Sequence, residues 1–352
     1  MHEDRTKGQA KKHGLRRRAK RLAAGAVALV LLLALAGATY QSVACAVDAR
    51  RYPPPGKLID VGGYRLHIDS AGEGSPTVVL DAGWSQCSLN WRLVQPEVAK
   101  FARVCSYDRA GMGWSDEGPV PRTSDQIVRE LHALLKAAAI PGPYVLVGHS
   151  FGGYNIRLLA HEYPQEVAGL VLVDAIHEDQ WSRMPESMKR QDKHFLTQLR
   201  AGLPWCRFGV VRLFFIRPNR RLPHILQPID RALKSRTAFL RTIYDETIFM
   251  EQSAAQVKAS ASLPQMPVVV LTAADVAQNP PEGISAEEFA QWRSLRRELQ
   301  ADLAAQYPDS LHIAVANSTH VIQLDQPAAV VEAIRQVVTA AREHKPLRSQ
   351  GQ

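Results

Sequence analysis

After residue 56 the chain is punctuated by short apolar runs, each closing on a small or acidic residue. Thr77-Val-Val-Leu80 ends at Asp81, Val104-Cys-Ser-Tyr107 at Asp108, Tyr144-Val-Leu-Val147 at Gly148 and Val167 to Val173 at Asp174; Pro267 to Leu271 and Leu311 to Val315 follow the same form. Continuous runs of this length, separated by segments of helical period, predict parallel strands buried on both faces. Leu58 to Val61 and Tyr64 to Ile68 instead alternate around Gly62-Gly63 and predict an antiparallel hairpin. Leu89 to Phe101 and Ser124 to Ala139 read as helices, the second capped by Thr123 or Ser124 and apolar at Ile127, Leu131, Leu134 and Leu135. The expectation is an α/β domain over 57–176 and 263–352, with a mostly parallel sheet and chemistry at the carboxyl ends of its strands.

Between these two parts, residues 177–262 break the alternation. The stretch is helical in pattern, carries fifteen Lys or Arg against eight Asp or Glu, and interleaves Trp181, Phe195, Trp205, Phe208, Phe214, Phe215, Phe239 and Phe249. It reads as a helical cap inserted into the sheet domain, with most of those aromatics expected in the cap's own core.

The amino-terminal pattern is different again. Leu22 to Ala38 is seventeen residues without a charge, about 26 Å as a helix, and weakly polar or apolar residues extend it past the roughly 30 Å of a bilayer's hydrocarbon. Nine Lys or Arg precede it within residues 1–21, against Glu3 and Asp4, so most of the formal net charge of +9 sits on a tail rather than on a nucleic-acid-binding surface. Residues 22–46 are thus expected to be a transmembrane signal anchor, and 47–56, with Pro53-Pro54-Pro55, a stiff linker. Basic flanks place the 1–21 tail in the cytoplasm and the body on the far side of the membrane; cleavage near Ala44-Cys45-Ala46 and secretion is the alternative. Cys87, Cys105 and Cys206 in the body have no metal-ligand spacing and are expected as ordinary buried or half-buried thiols.

The chemistry concentrates at Gly148-His149-Ser150-Phe151-Gly152-Gly153, a strand-to-helix turn with a serine at its apex. Such a turn lifts the hydroxyl above the sheet edge, and the Phe151 amide at the helix start points into the same space. A serine needs a base. His320 follows the last strand on a loop at that edge, whereas His149, adjacent to the serine, is expected to face away and to pack or support. The imidazole in turn needs a carboxylate: Asp174 and Asp275 both stand at strand ends and both give the order serine, acid, histidine, with Asp174 preferred and Asp275 the alternative. Oxyanion donors are expected from the backbone of Phe151 and of Trp84, after Gly83. No phosphate loop, dinucleotide fingerprint or zinc spacing accompanies them, and neither metal nor cofactor is expected.

Val147 to Gly153, Tyr-Asp-Arg-Ala-Gly-Met-Gly-Trp-Ser at 107–115 and Ser-Thr-His with Asp-Gln-Pro over 318–327 together resemble the α/β-hydrolase superfamily, in particular its membrane-anchored serine hydrolases and esterase-like members. The resemblance covers nearly all of 57–342. It implies an acyl-enzyme on Ser150, His320 as general base and then acid, and a small-molecule ester or acyl substrate; an acyltransferase or a silent binding domain of the same fold are the alternatives. Two departures stand out. Ala82-Gly83 replaces the usual His-Gly after the third strand, and the loop carrying Asp275 is short before its acid.

Overall fold

A computed structural model of the 352-residue chain describes residues 2–260, 265–274 and 280–347, with side chains at His13 and from Leu15 on. Eight strands form one sheet: β1 Lys57–Asp60, β2 Arg65–Ala71, β3 Thr77–Asp81, β4 Val104–Tyr107, β5 Tyr144–His149, β6 Val167–Val173, β7 Val268–Ala273 and β8 Ser310–Val315, in the order β1-β2-β4-β3-β5-β6-β7-β8. The first two strands run antiparallel to their neighbours and the remainder are parallel. This is an α/β-hydrolase fold, and every strand suggested by the apolar pattern is present.

The longer helices are α1 His2–Arg51, α2 Ser124–Ala137, α3 Gly152–Glu162, α4 Glu186–Cys206, α5 Gln227–Lys234, α6 Thr237–Ile248, α7 Met250–Ala259, α8 Ala286–Ala305 and α9 Pro327–Glu343. Residues of β3 and β5 to β7 alternate between two cores. Val79, Leu146, Leu170 and Val270 pack toward α2 and α3, while Val78, Val147, Val171 and Val269 pack toward Ile334, Val337 and Val338 of α9. Burial on both faces is what demanded unbroken apolar runs rather than alternation.

Register then decides which residues meet. Asp81 lies beside Gly148, and His149 beside Val173, so Ala82-Gly83, Ser150 and Asp174 all leave the sheet at one edge. Between β6 and β7 the described part of the chain runs through α4 to α7 and shorter helical turns.

Three differences from the sequence reading have physical causes. Leu89 to Phe101 is not one helix: a 3₁₀ turn at Ser88–Trp91 is followed by a single turn at Gln95–Val98, with Pro96 at its start. Gln95, the first residue of that turn, is held by its side chain, its Oε1 accepting from Ser106 Oγ at 2.6 Å and its Nε2 donating to Asp69 O at 2.9 Å. Helix α1 runs through 47–51, five residues into the expected linker, and stops at Tyr52, where the following Pro53 disfavours helical geometry. Most of the cap's aromatics are not in its core either. Phe239 is buried with Met112, Leu199 and Ile243, but Phe195, Trp205, Phe214 and Phe215 are exposed. The body cysteines are free and buried, as expected.

Candidate active site

Ser150 takes a left-handed backbone conformation, φ 51°, between β5 and α3. A side chain rarely adopts that region, and the strain is held by close packing around the turn. A Cβ at Gly148 would come within 2.6 Å of Gly152 O, so strand and helix meet only because position 148 carries none. The hydroxyl ends 2.9 Å from His320 Nε2. His320 Nδ1 lies 2.6 Å from Asp174 Oδ2, with Nδ1–H donating to the carboxylate.

Asp174 is itself at φ 41°, directly after β6, and is pinned by the Ala273 amide donating to its Oδ1 at 3.2 Å. Arg296 of α8 donates to the same Oδ2 that His320 uses and lies 3.3 Å from His320 Nδ1. Burial alone would raise the Asp174 carboxyl, but Arg296 and His320 together hold it well below the usual carboxylate range. Nothing in the sequence singles out Arg296, one of two adjacent arginines in a charged helix. The alternative acid, Asp275, lies outside the described residues.

The expected oxyanion donors border the same space. Trp84, Ser150, Phe151 and His320 all line one cavity of about 900 Å³. Phe151 immediately precedes α3, so its amide is among the first-turn N–H groups with no intrahelical acceptor. On the other side, a Cβ at Gly83 would meet His149 Nδ1 at 2.6 Å and Ser150 Cβ at 3.2 Å, which brings the Gly83-Trp84 backbone against the serine. The rest of the wall joins apolar side chains, among them Ile176, Met184, Phe195, Leu196 and Trp292, to charged ones such as Glu178, Asp179, Lys189, Asp192 and Lys193.

His149 is fully buried and supports rather than reacts. Its Nε2–H donates to the His320 carbonyl at 2.7 Å, its Nδ1 faces Gln86 at 3.0 Å, and its ring stands 4.7 Å from that of His320. Burial, aided by the neighbouring His320, pushes its pKa down to about 3. In the unfolded chain an imidazole takes up a proton near pH 6.5, so this residue's contribution to stability is complete above that pH and is lost as pH falls toward 3. At pH 5 the loss is about 2 kcal/mol. The expected result is that thermal unfolding between pH 7 and pH 5 shifts less in His149→Gln than in the wild type; equal shifts would assign the acid sensitivity elsewhere.

A second buried cluster, which sequence reasoning missed, braces the loop after β3 that carries the expected Trp84 donor. Arg109, 2% exposed, donates from Nη1 to Asp81 Oδ1 at 2.9 Å and to Ala82 O at 2.6 Å, and from Nη2 to Gly83 O at 2.9 Å. Its Nε donates to Glu246 Oε1 of α6 at 2.8 Å. Tyr107 and Asn155 both donate to Asp81 Oδ2 at 2.9 Å. Asp81 closing an apolar strand, and Arg109 within the Tyr107 to Ser115 motif, were the available signals.

Sheet order, serine turn and strand-end residues define an α/β-hydrolase. The model of the alpha/beta hydrolase family matches residues 78–333, and the chain belongs to that family. An uncharacterized Bacillus subtilis protein, YqjL, is 35% identical over 137 residues, covering 38% of this chain and 54% of its own length. The 2-hydroxy-6-oxo-6-(2'-aminophenyl)hexa-2,4-dienoic acid hydrolase of Metapseudomonas resinovorans is 30% identical over 131 residues, covering 35% of this chain and 45% of its own. The chain thus spans about half the length of these curated relatives. Among solved structures, a thermophilic esterase from Thermogutta terrifontis superposes with a TM-score of 0.59 at 22% identity, covering 81% of this chain and 97% of that one. At that identity the likeness is one of fold.

Proposed function

We propose that the chain is a membrane-anchored serine hydrolase that cleaves a carboxylic ester or related acyl compound through an acyl-enzyme on Ser150. The observation that carries the reading is the unbroken relay Ser150 Oγ to His320 Nε2 to Asp174 Oδ2, at 2.9 and 2.6 Å, at the wall of the 900 Å³ cavity. In this reading His320 takes the Ser150 proton as the oxygen attacks the acyl carbonyl, and Asp174 steadies the imidazolium that forms. The Phe151 and Trp84 amides receive the developing oxyanion. His320 then returns the proton to the departing alcohol, and water repeats the sequence to free the acid. No metal or cofactor is required by these steps. The apolar part of the wall offers a surface for a hydrophobic acyl or alcohol group, and the named hydrolase among the relatives agrees with the general class.

Anchoring rests on α1, whose segment Leu15–Arg51 has a mean hydropathy of 2.3 in its most apolar window and no burial there against the body. The basic residues before it favour a cytoplasmic amino terminus and a catalytic domain on the other side.

A fluorophosphonate reacts with an activated serine without needing the natural substrate. It is expected to label the full-length protein at Ser150, and Ser150→Ala is expected to abolish labelling while leaving the melting profile unchanged. A folded wild-type protein that resists the probe would overturn the acyl-enzyme reading.

A further inference from the structure

One face of α1 is docked on the cap. Ala34, Gly37, Ala38, Gln41, Ala44, Cys45 and Asp48 are the partly covered positions of the helix, spaced three and four apart, while the residues around them are exposed. Gln41, 5% exposed, donates to Ser235 O at 2.8 Å and accepts from Arg212 Nε at 3.0 Å. Arg212 also pairs with Asp48 at 2.5 Å and donates to Cys45 Sγ at 3.2 Å. At Gly37 a Cβ would come within 2.6 Å of Phe208 O, and at Gly209 within 2.7 Å of the Tyr40 ring. The segment around 208–212 therefore lies alongside residues 37–48 of the helix.

This docking conflicts with a helix that crosses the bilayer alone. From Leu22 to Leu33 every residue is exposed, and those twelve residues span only about 18 Å. Hydrocarbon is roughly 30 Å thick, so the remaining 12 Å or so must come from the part of α1 already covered by the cap. The cap surface beside it must then sit at membrane depth.

That surface has the composition the position demands. Trp205 is 56% exposed, Leu213 48%, Phe214 65% and Phe215 70%. Interleaved with them, Arg207, Arg217 and Arg220 are exposed and form no ion pair among the described residues. Aromatic side chains with arginines at their margin suit the boundary between acyl chains and anionic headgroups.

We infer that the cap face formed by Trp205, Leu213, Phe214 and Phe215 is inserted into the outer edge of the same bilayer that α1 crosses, with Arg207, Arg217 and Arg220 on lipid phosphates. The inference rests on the reading of α1 as a membrane anchor and adds a second, independent membrane contact. It makes the protein a two-point attachment rather than a domain on a free tether.

The test uses the full chain in phosphatidylcholine vesicles containing phosphatidylserine and nitroxide-labelled lipid. In a Cys45→Ser background, where the remaining cysteines are buried, an environment-sensitive fluorophore is placed in turn at Val30→Cys, Phe214→Cys and Lys100→Cys. Loss of fluorescence at both 30 and 214, with 214 quenched more by a nitroxide near the headgroup than by one deep in the chain and with Lys100→Cys unaffected, is the expected result. Quenching at 30 without quenching at 214 would overturn the second contact and leave the anchor standing. Absence of quenching at both would remove the anchor and this inference with it. Protection of 214 that grows with protein density and is indifferent to nitroxide lipid would assign the face to a second copy of the chain, and would equally overturn it.

Discussion

Asparagine at position 174 is expected to lower kcat/KM toward an ester substrate by roughly 10³- to 10⁴-fold, whereas Asp275→Asn should stay within about two-fold of the wild type. Asp174 receives three donors, from Ala273, Arg296 and His320, and only a carboxylate can accept from all of them at once. An amide must turn either its oxygen or its NH₂ group toward His320. With the NH₂ group there, the ring nitrogen at Nδ1 must be the unprotonated one, and Nε2 then carries the proton and cannot accept from Ser150. With the oxygen there, the negative charge opposite the imidazolium is gone while the Arg296 cation stays. Both arrangements disable the base. The check is a comparison of both variants on a p-nitrophenyl ester series, with melting profiles to show that each is folded. A crippled Asp275→Asn beside a near-normal Asp174→Asn would move the acid to β7 and leave Asp174 as a loop brace.

The second large effect is expected at Arg109. Arg109→Met removes the only cation that, among the described residues, is bonded to the buried carboxylates Asp81 and Glu246, both 0% exposed. Breaking such a cluster from one side typically costs 3–5 kcal/mol, because the charges left behind remain out of water. Here the loss is also directed. Arg109 holds the Ala82 and Gly83 carbonyls, next to the proposed Trp84 donor, and joins that loop to α6 of the cap. Urea unfolding should show the destabilisation. The variant that remains folded should react with a fluorophosphonate more slowly than the wild type, since the oxyanion loop is freed. A fully stable variant would mean that the carboxylates take up protons or water at little cost.

Much of the fold was legible because burial on both faces leaves an unmistakable trace: β3 and β5 to β7 are runs dominated by Val and Leu that end where the chain must emerge, at Asp81, His149, Asp174 and Thr272. The serine turn was legible for a related reason, since only small residues fit between strand and helix at Gly148 and Gly152. What escaped was set by contacts distant in the chain. Leu89 to Phe101 has an apolar pattern compatible with a helix, but Gln95 bonds across to Ser106 and Asp69 and Pro96 restarts the turn. Asp174 and Asp275 are equivalent as strand-end acids; only the register of β6 on β7 and the reach of the His320 loop brings Asp174 to 2.6 Å. Arg296 and Glu246 are ordinary surface-type residues in charged helices until tertiary packing turns them inward. Trp205, Phe214 and Phe215 failed the usual rule that apolar side chains pack inside, an exposure that the inferred membrane contact would account for, while Phe195 borders the cavity instead.

The grip of α1 on the cap changes which part of the molecule can travel. Its side-chain bonds reach Ser235 and Arg212, both in the cap, and the chain meets the sheet domain next at Tyr52, whose carbonyl accepts from the Trp114 indole at 2.9 Å. In a tethered protein the cap is then the stationary member. If the two separate to admit a substrate, the seam parts where Arg109 reaches Glu246, and the sheet domain pivots about the Tyr52 region, carrying Ser150 with it. On the anchored reading, the cover would stay with the membrane, and Ser150 would be what swings.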